Sequence, residues 1–301
     1  MRKNILFITS KFLPNADANG ICVANVAYEL QKMGYNILCL SEKNLHEPEY
    51  ETINGIRIFR VEPTMFMRVK NFYNKKTTSK FREYMFTLMK LFRKAKLPLI
   101  LLFFPNVSPF RSFKLYKKFE IIHQECGIDC VIGVFRPYEG IYVAQKAKSK
   151  YPHITSVALF LDLLRGVTPP KPMSAGLYNK MCIDREVGIS EKVDKVLIPE
   201  SAKDLYSNSE FDLKKFDLID FPLFAPLDDN SNGRSVGFNS DDINIVYAGS
   251  MDLKNRNPEY FLSVLSEVYK VDCRIRFHIF GTLNGAGAII EKYKKLYPEM
   301  I

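Results

Sequence analysis

The chain opens on "KNILFITS" at 3–10, a continuous apolar run with turn residues after it, the pattern of a strand covered on both faces. After a polar stretch, Val23, Val26, Ala27 and Leu30 recur at i, i+3, i+4 and i+7 and lay one apolar stripe along a helix over 21–33. Gly34 stops that helix, and "YNILCLS" at 35–41 reads as the next strand. Strand, helix and strand in succession form a βαβ unit, whose crossover is right-handed almost without exception. Asn54-Gly55 then turns the chain into "IRIFRV" at 56–61, another strand. "CVIGVF" at 130–135, a helix over 139–150, "SVALFLD" at 156–162 and "KVLIPE" at 195–200 continue the alternation. Such an order predicts an α/β fold with a doubly wound parallel sheet.

Near Pro226 the pattern breaks. "PLDDNSNGRSVGFNSDD" at 226–242 is polar, rich in Asn and Gly, and almost free of aliphatic residues, which marks a linker. Beyond it the alternation restarts: strand 243–250, helix 258–270, strand 274–281 and helix 286–297. The predicted organisation is a first lobe over 1–225, a linker over 226–242 and the beginning of a second lobe over 243–301. A lobe of that kind usually needs ~100–150 residues, so the second one is expected to be incomplete.

Composition adds little until charge is located. Of the 301 residues, 47% are hydrophobic and 25% charged, as in an ordinary folded protein. The longest apolar run, "LPLILLFF" at 97–104, falls well short of the ~20 residues of a spanning helix. "ILFI" near the start is too short for a signal-peptide core, so a cytoplasmic location is expected. The six cysteines form no CxxC pair and suit buried thiols in a reducing compartment. His123, Cys126 and Cys130 have zinc-like spacing but no nearby fourth ligand, and no metal is expected there.

The net charge of +10 is unevenly placed. Residues 66–118 carry fourteen Lys and Arg against the single acid Glu83, which leaves the rest of the chain at −3. A segment so basic calls for an anionic partner. Phe66, Met67, Phe72, Tyr73, Phe81, Tyr84, Phe86, Leu91 and Phe92 lie among its cations, so an anionic membrane surface fits, at about 1 kcal/mol per cation. No RNP, zinc-finger or helix-turn-helix pattern accompanies the charge, and a nucleic-acid partner is not expected.

Two loops carry candidate chemistry. "FLPNADANG" at 12–20 holds Asp17, Asn19 and Gly20 between the first strand and helix. Ligands of open α/β sheets sit outside the carboxyl ends of the strands, and a helix N-terminus there offers unpaired N–H groups. Gly20 would let backbone approach a ligand closely. "GSMDLKNRNP" at 249–258 follows the first strand of the second lobe. Its cations Lys254 and Arg256 could hold a diphosphate together with Gly249 and Ser250. Neither loop contains GxxxxGK[ST] or GxGxxG, so nucleotide-hydrolase and dinucleotide readings lose support.

In order along the chain, these stretches resemble the GT-B glycosyltransferases, specifically the retaining family-four type. "FLPNADANGICVANVAYELQKMGYNILCLS" is similar to that family's first βαβ unit, and "SVALFLDLL" to its strand ending in an acidic residue, here Asp162. "EKVDKVLIPES" resembles its AD-x-hh-x-x-S element, and "IVYAGSMDLKNRNP" the strand and phosphate loop that open its nucleotide-binding lobe. One glycine replaces the usual pair in the first loop, Leu161 stands where His precedes the acid, and Ser250 where Arg follows the glycine. Glu291 and Glu299 have the family's E-x7-E spacing but fall too early in the lobe.

The resemblance implies two Rossmann-like lobes and transfer of a sugar from a nucleotide-diphosphate donor to a glycan or lipid-linked acceptor. It implies retained configuration and no metal or other cofactor. Asp162 would orient acceptor hydroxyls, Asp17, Asn19, Gly20 and Arg136 would line the acceptor side, and Gly249, Ser250, Lys254 and Arg256 would hold the donor. A lobe that only binds acceptor or membrane, and another α/β sugar-nucleotide enzyme, stay open as alternatives.

Overall fold

The computed structural model describes residues 2–44, 46–63, 84, 87, 104, 108–135, 137–165, 169, 173–203, 215–219, 237–251, 253 and 256–301. The chain divides into two compact units, Met1–Leu227 and Asp228–Ile301. Most of the basic segment 66–118, including 66–83 and 88–103, lies outside the described residues.

The first unit is built on β1 (Asn4–Ile8), α1 (Ala18–Lys32), β2 (Asn36–Glu42), β3 (Tyr50–Ile53), β4 (Ile56–Val61), α2 (Pro109–Cys126) and β5 (Cys130–Phe135). It continues with α3 (Glu139–Lys150), β6 (Thr155–Phe160), α4 (Ala175–Ser190), β7 (Lys195–Pro199) and β8 (Phe216–Ile219). One sheet of eight strands has the order β3-β4-β2-β1-β5-β6-β7-β8. All pairs are parallel except β3 with β4, a short antiparallel hairpin through the Asn54-Gly55 turn.

Strand alternation explains the layers. From β1, Leu6 and Ile8 point into a core with Leu115 and Phe119 of α2 and Val143 of α3, while Ile5 and Phe7 meet Val23 and Ala27 of α1. Helices therefore cover both faces, and the sheet is doubly wound. β1 and β5 sit side by side, with α1 following β1 on one face and α3 following β5 on the other. Their carboxyl ends form the switch point where a ligand crevice opens in such sheets.

The second unit has β9 (Ile243–Ala248) and β10 (Ile275–Phe280) paired in parallel, with α5 (Glu259–Val271) and α6 (Gly287–Leu296). Met251, Leu262, Leu265, Phe277, Ile290 and Met300 form its core. The patterning predicts a buried strand here, but β9 leaves Ile243 43% and Val246 49% exposed. Side chains stand on the faces of a sheet and are buried by what packs there: Ile245 and Tyr247 pack against the core of this unit, and Ile243 and Val246 are not part of it.

Candidate functional site

At the carboxyl edge of the first sheet, α1 begins at Ala18, three residues earlier than its apolar stripe indicates. Asp17 is the cap. Its carboxylate accepts the Gly20 N–H at 2.9 Å and the Ser10 hydroxyl at 2.8 Å, tying the end of β1 to the start of the helix. Gly20 therefore belongs to the first helical turn beside Asn19, and it is buried. A Cβ at Gly20 would lie 2.3 Å from the Lys11 carbonyl oxygen. The close backbone approach expected at this glycine is thus made to the chain's own loop.

Arg60, at the end of β4, supports that loop from beneath. Its fully buried guanidinium donates to the carbonyls of Leu13 at 2.6 Å and Pro48 at 3.0 Å. It also pairs with Glu47, at 3.2 Å, and with Glu51. Glu47 in turn accepts from Asn15 and Asn44, each at 2.9 Å. Burial alone would raise the Glu47 carboxyl, but the hydrogen bonds from Asn44 and Asn15 and the Arg60 charge outweigh it and hold it low.

Asp162 is exposed, two residues beyond β6. The parallel β1-β5-β6 order places the loop after β6 on the same carboxyl edge as the loop that leads into α1, and the Cys22 thiol of α1 is pushed up chiefly by burial and further by the Asp162 charge. Its loop is anchored by the ion pair of Arg165 Nε with the buried Glu186 of α4, at 2.8 Å. The structure thus gathers Asp17, Asn19, Gly20 and Asp162 along one edge. Arg136 lies outside the described residues.

Sequence reasoning missed a second group at this edge. Arg111, in the first turn of α2, meets Glu42 at the end of β2 at 3.1 Å and Glu139 at the start of α3 at 3.9 Å. Glu139 is buried, and burial raises its carboxyl despite the Arg111 charge. No local signal could link residues so far apart in the chain. The outward side of α2 is also informative: Phe110 and Phe113 are 64% and 55% exposed, with Lys114 over one ring and Lys117 over the other.

In the second unit, the loops after β9 and β10 run side by side. Gly249 N–H donates to Phe280 O and Met251 N–H to Thr282 O, both at 2.8 Å. A Cβ at Gly281 would sit 1.7 Å from the Gly249 oxygen, so only glycine allows this contact. The two loops bring the Ser250 and Thr282 hydroxyls within 3.0 Å, and the Asn284 amide donates to both. The Ser250 carbonyl accepts from Tyr247 at 3.1 Å and from Arg256 at 3.4 Å. Gly249, Ser250 and Arg256 are therefore neighbours, while Lys254 lies outside the described residues. Thr282 and Asn284 went unnoticed in the sequence, although "GTLNG" directly after a strand was the available signal. Glu291 lies on α6 and Glu299 beyond its end, both exposed.

Among the described residues no three His, Cys, Asp or Glu groups are placed to hold a metal ion, and no helix is long and apolar enough to cross a membrane. His123 Nδ1 accepts the Ile128 N–H at 3.1 Å.

No family model matches this sequence, and no curated protein is similar to it. Solved structures do match. The catalytic domain of starch synthase IV from Arabidopsis thaliana, bound to ADP and acarbose, aligns over 98% of this chain and 71% of its own at 11% identity and a TM-score of 0.54. TarM aligns over 98% of this chain and 75% of its own, at 10% identity and a TM-score of 0.55. The lipopolysaccharide outer core galactosyltransferase WaaB aligns over 99% and 67%, at 11% identity and a TM-score of 0.51. Identity this low speaks for the fold alone. The chain has the GT-B-like α/β fold of these structures, with a second lobe that holds two strands and two helices among the described residues.

Proposed function

We propose that this protein is a glycosyltransferase of the retaining family-four type. It moves a sugar from a nucleotide-diphosphate donor to a glycan or lipid-linked acceptor, as in capsule or lipopolysaccharide synthesis. The observation that carries the reading is the paired-loop cradle of Gly249, Ser250, Thr282, Asn284 and Arg256 at the carboxyl edge of the second unit's sheet, within a GT-B-like fold. Transfer requires that negative charge growing on the departing diphosphate be met by fixed donors. Arg256 supplies a cation, and the hydroxyls and amide supply neutral donors. Lys254 is assigned the same task. Charge neutralisation then falls to protein groups, with no metal or other cofactor in the scheme.

On the acceptor side, Asp162 orients hydroxyls, with Asp17, Asn19, Gly20 and Arg136 around it. Asp17 acts through the cap it makes to the first turn of α1. The basic segment 66–118 seats the protein on the inner, anionic face of a membrane, where a lipid-linked acceptor would be met. Phe110, Phe113, Lys114 and Lys117 on α2 support this, because rings and ammonium groups on one face suit the headgroup layer.

The test is titration of the 301-residue chain with a panel of nucleotide-diphosphate sugars by calorimetry. Saturable binding to one of them is expected, and Arg256→Ala should weaken it tenfold or more, since charge-assisted contacts contribute ~1.5–3 kcal/mol. Binding that is indifferent to Arg256→Ala removes the phosphate assignment.

A further inference from the structure

A cavity of about 650 Å³ opens in the first unit along one flank of α3, and neither candidate loop takes part in it. Tyr142, Gln145, Lys146, Lys148 and Ser149 line it from α3, and the chain from Glu191 to Asp194 lines it where α4 gives way to β7. Lys215, one residue before β8, joins them. β7 and β8 run parallel, so Asp194 and Lys215 stand at the amino edge of the sheet, opposite the carboxyl edge that gathers Asp17 and Asp162. Four lysines from three separate stretches thus meet two acids. The Lys148 ammonium pairs with Asp194 at 2.9 Å and donates to the Pro152 and Ile154 carbonyls, so those two charges cancel. Among the described residues no carboxylate lies within ion-pair distance of Lys146, Lys192 or Lys215. Three cations are left against Glu191. The end of a helix would ordinarily add negative character, but the last carbonyls of α4 are occupied. Those of Val187 and Ile189 accept the Glu191 and Lys192 N–H groups, and that of Ser190 accepts from Lys215 at 3.0 Å. A recess lined by one sign of charge concentrates the opposite ion.

The rest of the lining is neutral and suits hydroxyl groups. The Tyr138 hydroxyl donates to Gln145 Oε1 at 2.8 Å, which orients that amide and leaves its N–H groups as donors. Burial pushes the Tyr138 hydroxyl up to about 12, so it keeps its proton. The Tyr142 ring, with the Lys146 ammonium 5.9 Å from its centre, adds a flat apolar face. We propose that this cavity binds a phosphorylated sugar, at a site separate from the nucleotide-sugar cradle of the second unit. Lys146, Lys192 and Lys215 hold the phosphate dianion, whose charge matches the excess of three lysines over Glu191. Gln145 and Ser149 meet the sugar hydroxyls, and the Tyr142 ring meets the apolar face of the sugar. A cavity of this volume suits a small organic ligand rather than a lone ion.

Calorimetric titration of the 301-residue chain with glucose 6-phosphate, and with glucose as the uncharged control, tests this. Saturable binding of the phosphate with a Kd of about 1 mM or tighter is expected. Glucose should not saturate, and raising salt from about 50 to 300 mM should weaken binding of the phosphate. Lys146→Gln combined with Lys192→Gln should weaken it about tenfold or more, whereas Arg256→Ala, in the other unit, should not change it. Lysine acetylation read by mass spectrometry keeps the test sharp if the double variant fails to fold. Glucose 6-phosphate should protect Lys146 and Lys192 of the parent chain and leave the exposed Lys32 unprotected. Absence of saturation by about 10 mM overturns the proposal. So do unchanged binding in the double variant, loss of binding with Arg256→Ala, and acetylation of Lys146 and Lys192 that ignores the ligand.

Discussion

Gly20→Ala sets two effects of opposite sign against each other at one atom. In the first turn of α1, alanine gains up to about 1 kcal/mol over glycine, because it loses less backbone entropy on folding. Against this stands the Lys11 carbonyl oxygen, 2.3 Å from the position the new methyl would take. Ordinary contact is about an ångström longer, and the obstacle is backbone, so loop 11–17 or the helix must shift. That loop is held by Arg60 through Leu13 and by Glu47 through Asn15, so it cannot yield freely. Overpacking of this kind costs about 1–3 kcal/mol. The net expectation is a destabilisation of about 1–2 kcal/mol, a fall in Tm of roughly 2–8 °C for a unit of this size. Gly188→Ala is the matched control. It lies in α4, a Cβ there would meet nothing within 4 Å, and the substitution should stabilise by roughly 0.5–1 kcal/mol. Urea unfolding followed by circular dichroism measures both. A Gly20→Ala protein as stable as the parent would show that the Lys11 contact does not constrain the turn.

Arg60→Met should destabilise by about 3–5 kcal/mol, because Glu47 would keep a buried charge with its cation gone; a loss under 1 kcal/mol in the same unfolding assay would contradict the loop support drawn here. Glu139 holds its proton more tightly when folded, since burial raises its carboxyl above the ordinary 4.5. Stability should therefore fall as pH rises from 4.5 through the folded value, and Glu139→Gln should flatten that slope between pH 4 and 8; an unchanged slope refutes the assignment. Replacing Lys114 and Lys117 by Gln should reduce co-sedimentation with acidic liposomes at low salt, and raising salt should release the parent protein. Equal binding to neutral and acidic vesicles would remove the electrostatic component.

The sequence alone determined the parts whose physics is local. Continuous apolar runs placed β1, β5 and β7 nearly to the residue, the i, i+3, i+4, i+7 stripe found α1, and Asn54-Gly55 marked the turn before β4. Period and turn chemistry are carried by neighbours in the chain, so they survive without a fold. β3, β8 and α4 escaped notice: "YETI" and "FDLI" are too short to show a period, and they become strands by pairing with β4 and β7. The candidate site divides the same way. Asp17, Gly20 and Arg256 were singled out because they fall in stretches that follow a strand, where ligands of such sheets lie, and Asp162 only through the family resemblance. What Asp17 and Gly20 do was not legible, since their partners Ser10 and Lys11 approach only once helix and loop close on each other. Arg111 with Glu42 and Glu139, and Ser250 with Thr282 and Asn284, come from separate elements and meet only because a parallel sheet brings its strand ends to one edge. The exposure of β9 also belongs to the tertiary structure. An apolar strand states that it can be buried, and what packs on its two faces decides whether it is.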